Sequence, residues 1–521
     1  MPIKIPRKEN KNIEFKERLT VDYHLKEDIK QHLASQMNFL LEKGHGTAVY
    51  ILGVKDSGEI AGLTDIELEE TLNVLNVVAK ECGAEIFKVE KFTENGKTIA
   101  KIVITKSQEK RILHLIIGVC GHVNHGKSTL IGCLLKGKPD KKAYLYLDVL
   151  PHEIERGLSA EIHHAFLGFK ESKPLFFRNP LDKKEKERIM KEADKIISFV
   201  DTVGHEPWLR TTIRGLIGQS IDYGLLVIAA DDGPTHISKE HLGILLAAGI
   251  PVIVVITKID KVSTKKVKEA IESLEVLLKK VGRVPYKIES KKDIGVVLDK
   301  LEVIVPILKV SSITYEGFDI LLEFLRVLPE RPKSTDKPFL MYIDKVYNVT
   351  GAGTVVSGTI KQGKLKSGQK LLIGPEKLGK FRSVKTKSIE MHYFRLKEAK
   401  AGFVVGISIK GIKSSDIERG MILCDESLKP RAVKEFEAEI YVLSHPTKIK
   451  TGYEPVFHCH TISQTVKVYL IDKKYLKAGE YGKVKMKFKY RPQYIKEGDK
   501  FIFREGKTKG IGVVKKIISY A

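Results

Sequence analysis

Residues 121–128 read Gly-His-Val-Asn-His-Gly-Lys-Ser, a Gly-x-x-x-x-Gly-Lys-Ser loop between an apolar run (Leu113 to Cys120) and a helix-like stretch (Thr129 to Lys136). Backbone N–H groups of such a turn can wrap a polyphosphate, and the helix N-terminus behind it carries partial positive charge. The spacing predicts that His122, Val123, Asn124, His125, Gly126, Lys127, Ser128 and Thr129 form a phosphate cradle. Lys127 would reach the β- and γ-phosphates, and the Ser128 hydroxyl would ligate Mg²⁺.

Two later segments choose the base. Residues 254–260, Val-Val-Ile-Thr-Lys-Ile-Asp, end an apolar strand with Thr-Lys-x-Asp. A carboxylate at Asp260 can accept from both N1–H and the exocyclic amine of guanine, a donor pair that adenine lacks. Thr257 and Lys258 belong to the same motif, the lysine stem packing along the base, and Ser311 and Ser312 after a further apolar strand would contact the guanine carbonyl. Between these motifs lies Ile-Ser-Phe-Val-Asp-Thr-Val-Gly-His, residues 197–205. Asp201 at its strand end would hold Mg²⁺ through water, and the Gly204 N–H would sense the γ-phosphate.

The order phosphate loop, Asp-x-x-Gly, Thr-Lys-x-Asp is that of GTPases. The strings GHVNHGKST and DTVGHE resemble the translational GTPases, the superfamily of elongation factor Tu. That resemblance makes His205 the residue that orients the hydrolytic water, with Lys127 and Gly204 beside it, and makes Val123 and Leu158 its apolar flanks. It also makes Ser159, in Arg156-Gly157-Leu158-Ser159, the stand-in for the family's Mg²⁺-binding threonine. Asn124 departs from the family's aspartate, which puts a monovalent-cation site in doubt. The strings GHEPWLRTTIRGL (204–216), SKEHLG (238–243) and HEIE (152–155) are similar to the GTP-binding protein 1 and 2 group. The resemblance implies GTP/GDP and Mg²⁺ as ligands, and GTP-switched binding of tRNA, another RNA or the ribosome, in elongation-like delivery or ribosome-associated quality control. The alternative is an RNA-binding or RNA-decay adaptor in which GTP is a slow or structural switch.

These residues need a frame. A chain of 521 residues exceeds what one core organises, so several domains are expected. The expected architecture is a small α+β domain at 1–110, an α/β P-loop GTPase domain at 111–332, and two β-barrels at 337–428 and 433–521. In the GTPase unit, β-type runs at 113–120, 196–201, 224–231, 251–257 and 304–310 alternate with helical patterns, which argues a parallel sheet covered on both faces. Residues 170–195 are lysine-rich and read as an insertion. Pro329, Pro332 and Pro338 punctuate a polar linker, after which short strands and glycine turns predominate. GTVVSGTI and REGKTKGIGVV resemble the second and third domains of the elongation factor Tu superfamily. In the first 110 residues, Ile-Glu-Phe-Lys-Glu (13–17) and YILGVKDSGEIAGL (50–63) resemble the Schlafen AlbA-type fold, whose members often bind nucleic acid. A docking domain is the other reading.

The formal charge is +25. Residues 429–521 carry 21 Lys and Arg against 9 Asp and Glu, and Lys483, Lys485, Lys487 and Lys489 alternate with Val484, Met486 and Phe488. On a strand those lysines share one face, spaced to suit successive phosphates of RNA or simply to keep a solvated strand from pairing. No DNA specificity is indicated. No run of eighteen apolar residues occurs and the first residues lack an apolar signal core, so no membrane association is expected and the cytoplasm is the expected compartment, with the protein a monomer. Five scattered cysteines suggest neither disulfides nor a zinc ribbon. His458-Cys459-His460 should not share a metal, because consecutive strand residues point to opposite faces.

Overall fold

The computed structural model describes residues 12–94, 97–106, 112–147, 163–202, 215–506 and 508–521. The chain divides into two compact units, Met1–Arg111 and Ile112–Ala521. The first is an α+β unit whose four-stranded sheet runs β1 (Ile13–Lys16), β2 (Thr47–Leu52), β4 (Lys97–Lys106), β3 (Ala84–Glu94). β1 lies parallel to β2 and the other pairs are antiparallel. Helices Glu27–Lys43 and Asp65–Glu81 bury Met37, Leu41, Val74 and Val78 with Tyr50, Ile102 and Ile104 of the sheet. The Thr64 side chain accepts from the Glu67 N–H while Glu67 reaches back to the Thr64 N–H, a reciprocal cap that fixes the second helix start.

The second unit starts with an eight-stranded sheet in the order β11 (Val284–Lys287), β12 (Ile304–Lys309), β10 (Val252–Thr257), β9 (Tyr223–Ala229), β5 (Leu113–Gly121), β8 (Lys195–Asp201), β6 (His163–Lys170), β7 (Lys173–Leu175). β8, β9 and β10 are buried along their whole length, as expected of strands covered on both faces. Helices Lys127–Lys136 and Phe318–Val327 contribute to the core on one face, and His236–Ala248 and Thr264–Lys280 to that on the other. The sheet is not parallel throughout. β6 pairs antiparallel with β8, and β7 antiparallel with β6. Part of the lysine-rich stretch 170–195 therefore extends the sheet edge, and Lys183–Glu192 forms a helix that buries Ile189 and Met190.

Two barrels follow. In the first, Leu340–Tyr342, Ile422–Cys424, Lys370–Gly374, Arg382–Met391, Val404–Lys410 and Gly353–Gln362 pair in that order, and the last strand also pairs with the first. In the second, Val433–Ser444, Tyr481–Phe488, Ile462–Leu470, Val456–Cys459, Lys500–Glu505 and Thr508–Tyr520 close a barrel. Closure removes the sheet edges. The alternation in Tyr481–Phe488 is as expected, with Val484, Met486 and Phe488 buried. This strand is paired on both sides, so its lysines have no edge to protect. Glu439, Glu437 and Glu435 stand opposite Lys483, Lys485 and Lys487, and Glu435 lies 3.1 Å from Lys487 Nζ. The lysine row is thus partly neutralised by a carboxylate row on the next strand.

His460 departs from strand alternation. Its φ of 51° turns the chain, so the donor atoms of Cys459, His460 and Asp499 come within 4.8 Å of one another. His460 Nε2 lies 3.2 Å from Asp499 Oδ1 and its ring stacks 4.1 Å from that of Tyr342, so the imidazole joins the two barrels. All five cysteines are buried and none forms a disulfide. Among the described residues no helix is long and apolar enough to cross a membrane.

Lys195 shows how the start of β8 is tied down. Its buried Nζ donates to the carbonyls of Leu325 (3.1 Å), Arg326 (2.6 Å) and Leu328 (2.7 Å), at the C-terminus of helix Phe318–Val327. The ammonium satisfies carbonyls that have no partner within the helix and complements the negative end of its dipole. Burial, then Arg326, pulls its pKa down to about 8, which leaves it charged at neutral pH. Replacing Lys195 by Met is expected to cost about 3 kcal/mol, read from the urea midpoint, because the carbonyls stay buried while their donor is lost.

Candidate functional site

The loop after β5 is shaped by two glycines. At Gly121 a Cβ would lie 2.2 Å from the Val227 carbonyl oxygen, so β5 and β9 can approach only without a side chain there. Gly126, at φ 83°, turns the chain into helix Lys127–Lys136. Asn124 sits between them at φ 61°, a left-handed geometry that Asn and Asp tolerate better than other side chains, so the backbone accommodates the departure from the family pattern. Lys127 Nζ donates to the His122 carbonyl at 3.0 Å, across the loop.

The two oxygen ligands predicted for the metal meet. Ser128 Oγ donates to Asp201 Oδ2 at 2.6 Å, and Asp201 is buried at the end of β8. Thr202 next to it bonds the Val119 carbonyl through its N–H (3.1 Å) and Oγ1 (2.8 Å), which pins the end of β8 to β5. A hydroxyl beside a carboxylate is a hard, all-oxygen donor set of the kind Mg²⁺ takes. The predicted base-reading residues also converge. Ser311 Oγ donates to Asp260 Oδ1 at 2.5 Å and accepts the N–H groups of Ile313 and Thr314. The Ser312 carbonyl accepts the Asp140 N–H at 3.2 Å. Thr257 Oγ1 donates to the His125 carbonyl at 2.7 Å, linking the base-reading strand directly to the phosphate loop.

Val123 and Thr129 lie in the same loop and helix start, half-buried. Gly204, His205, Leu158 and Ser159 lie outside the described residues.

The structure adds two residues that the motifs did not single out for a role, His241 and Asp231, and buries His125 of the expected cradle. Gly121 N–H donates to His241 Nδ1 at 3.0 Å. His241 falls in the Ser-Lys-Glu-His-Leu-Gly string, on helix His236–Ala248, and its partner is invisible in linear spacing. Burial, then the charge of Lys127, holds its pKa down to about 3, so it is neutral and free to accept. His125 is neutral for the same reason: burial pulls it to about 4, its Nδ1 lies 3.3 Å from the Val227 carbonyl and its Nε2 3.3 Å from Asp232. Asp231 lies 3.6 Å from Lys258 Nζ and 2.6 Å from Lys261 Nζ. Burial opposes its charge, but the Lys261 and Lys258 ammoniums outweigh it and hold the carboxyl below its usual range.

The sheet floor is wired to the first barrel. His114 Nδ1 lies 3.0 Å from the Gly402 carbonyl, so it is the donor there. His114 Nε2 then accepts the Ser198 hydroxyl at 2.8 Å, and Ser198 Oγ accepts His392 Nε2–H at 2.9 Å. Burial keeps both imidazoles neutral, His114 at about 3 and His392 well below its usual value. Gln219 Nε2 donates to Asp344 Oδ2 at 2.7 Å, and Thr359 Oγ1 donates to the Gln219 carbonyl at 2.8 Å.

Three family models match along the chain: the elongation factor Tu GTP binding domain at residues 112–330, domain 2 at 353–424 and the C-terminal domain at 429–518. GTP-binding protein 1 of Xenopus laevis is 33% identical over 497 residues, 93% of this chain and 76% of that protein. GTP-binding protein 2 of Homo sapiens is 32% identical over 98% of this chain and 87% of its own length. Elongation factor 1-alpha of Pyrobaculum calidifontis is 32% identical over 74% of this chain and 85% of its own. The fold is similar to that of translation elongation factor SelB from Methanococcus maripaludis in complex with a GTP analogue, with TM-score 0.56 and 22% identity over 78% of this chain and 80% of that one.

His114, His125 and His241 are neutral when folded and titrate near 6.5 when unfolded. The unfolded chain therefore binds more protons below that pH. Stability is full above about pH 6.5 and falls as pH drops toward 4, by about 2 kcal/mol per histidine at pH 5. Thermal midpoints measured between pH 7.5 and 5 should show this loss. His241→Gln, whose amide can still accept the Gly121 N–H, should make it shallower.

Proposed function

Because the chain belongs to the elongation factor Tu family of translational GTPases and hydrolyses GTP, we propose that its nucleotide state switches binding of tRNA or another RNA at the ribosome. The observation that carries this reading is Gln219. It lies shortly beyond the Asp-x-x-Gly segment and is hydrogen-bonded to Asp344 and Thr359 of the first barrel. A shift in that segment on loss of the γ-phosphate would be felt by the barrel through these bonds.

Backbone N–H groups from His122 to Thr129 would cradle the phosphates, with Lys127 swinging from the His122 carbonyl onto the β- and γ-oxygens. Ser128 directly, Asp201 through water and Ser159 would hold Mg²⁺, which when bound neutralises charge on the β- and γ-phosphates. Asp260, held by Ser311, would accept the guanine donors, Lys258 would lie along the base, and Ser311 and Ser312 would meet its carbonyl. His205 would orient the water for in-line attack, and Gly204 N–H would register the γ-phosphate.

RNA affinity would be supplied by the basic surplus of 112–521. The Lys483–Lys489 row can contribute only where phosphates outcompete the facing glutamates.

His205→Ala should leave GTP affinity within about twofold while single-turnover hydrolysis falls at least about a hundredfold. Equal rates would remove His205 from the reaction. Asp260→Asn replaces an acceptor by a donor, so guanine affinity should fall by about a hundredfold or more while xanthosine triphosphate, with a carbonyl at that position, is gained. Titration with both nucleotides reads this out. Ribosomes should accelerate GTP turnover, whereas unchanged turnover with ribosomes and aminoacyl-tRNA would favour the adaptor with a slow switch.

A further inference from the structure

The first unit has a different electrostatic character from the rest of the chain. Residues 1–111 carry 18 Lys and Arg and 18 Asp and Glu, so the entire surplus of 25 lies in residues 112–521. A neutral domain lacks the footprint of a nucleic-acid-binding module. Its surface nevertheless exposes large apolar side chains in one region: Ile66 is 81% exposed, Phe87 72% and Val89 40%.

Ile66 and Val89 border an open groove of about 680 Å³ between helix Asp65–Glu81 and β3. Ile66 and Leu72 line it from the helix, Ile86 and Val89 from the strand, and the Glu69 and Glu70 carboxylates from one rim. A register shift between Ile86 and Lys88 lets Ile86 and Val89 face the same groove and turns Phe87 outward. β3 is the outer strand of the sheet, and among the described residues it pairs only with β4. Its far side therefore presents backbone donors and acceptors over eleven residues.

We propose that this groove docks an extended segment of a partner protein, added as a strand to the open edge of β3. Alternate apolar side chains of that segment would seat against Ile66, Leu72, Ile86 and Val89. Flanking Lys or Arg would meet Glu69, since Arg18 and the Val21 N–H already hold the Glu70 carboxylate, and the Asn73 and Asn76 amides in the same lining would bond its polar atoms. Strand addition gives affinity through the main chain, while the groove and its carboxylate rim give selectivity for apolar-basic sequences. Charge complementarity favours this occupant over RNA, whose phosphates would meet the same carboxylates.

The test pans random dodecapeptides displayed on phage against the full chain, then measures the enriched peptide by fluorescence anisotropy. The expected consensus alternates apolar residues and carries Lys or Arg. Its affinity should fall at least tenfold in Ile66→Glu and in Glu69→Lys, both exposed positions, with melting temperature and GTP hydrolysis unchanged. Amides of residues 84–94 should gain protection from hydrogen exchange when the peptide is bound. No consensus, an acidic one, equal affinity for both variants, or no protection at 84–94 would each overturn the proposal. So would a twenty-residue oligouridine whose binding is lost in the same two variants, which would make the face one for nucleic acid.

Discussion

The start of helix Lys127–Lys136 is held to the end of β8 by one short hydrogen bond, Ser128 Oγ to Asp201 Oδ2 at 2.6 Å, and the rest of the site is arranged around that contact. It can form only because β5 lies between β8 and β9 in parallel register, so their C-terminal ends are level. The same register demands a glycine at 121, where the Val227 carbonyl leaves no room for a side chain. Thr202, bonded to Val119, then keeps the carboxylate from drifting. Asp260 follows β10, two strands from β5 across the sheet, and Thr257 ties that strand to the loop through the His125 carbonyl.

The site is anchored from behind by neutral histidines. His241 accepts from Gly121, and the neutral His125 turns Nδ1 to the Val227 carbonyl. Either one protonated would place a second buried positive charge beside Lys127, which is why burial and that lysine act in the same direction on both. An imidazole that stays neutral supplies a hydrogen-bond acceptor without competing for the phosphates' charge. A Lys or Arg in the same place could not accept the Gly121 N–H at all.

How much of this was legible in the sequence depends on whether an element announces itself locally. Buried parallel strands read as apolar runs, and the five expected ones lie within a residue or two of those observed. β6 and β7 did not, because His163, His164 and the neighbouring lysines interrupt the pattern and the pairing with β8 is antiparallel. β1, four residues long, was read only as part of a resembling string. The phosphate-loop and guanine motifs carry their spacing with them, so Ser128–Asp201 and Asp260–Ser311 came together as the sequence predicts. His241 and Asp231 act through partners more than 25 residues away, and no local pattern marks them. His460 lies past the end of strand Val456–Cys459 and is left-handed, so alternation, which presumes extended backbone, does not extend to it.

The lysine row of the second barrel shows why charge counts need register. In the sequence, Lys483 to Lys489 is an uninterrupted basic face. In the fold, Glu435, Glu437 and Glu439 of Val433–Ser444 stand across from Lys487, Lys485 and Lys483, and cross-strand pairs of opposite charge stabilise a sheet rather than advertise a ligand. Lys489 likewise pairs with Glu454 at 2.6 Å. An RNA binding there must exchange these carboxylates for phosphates, which lowers the gain per lysine. Net charge alone therefore does not mark a face of this barrel as open to an anion; the strand register decides which lysines lack a facing carboxylate.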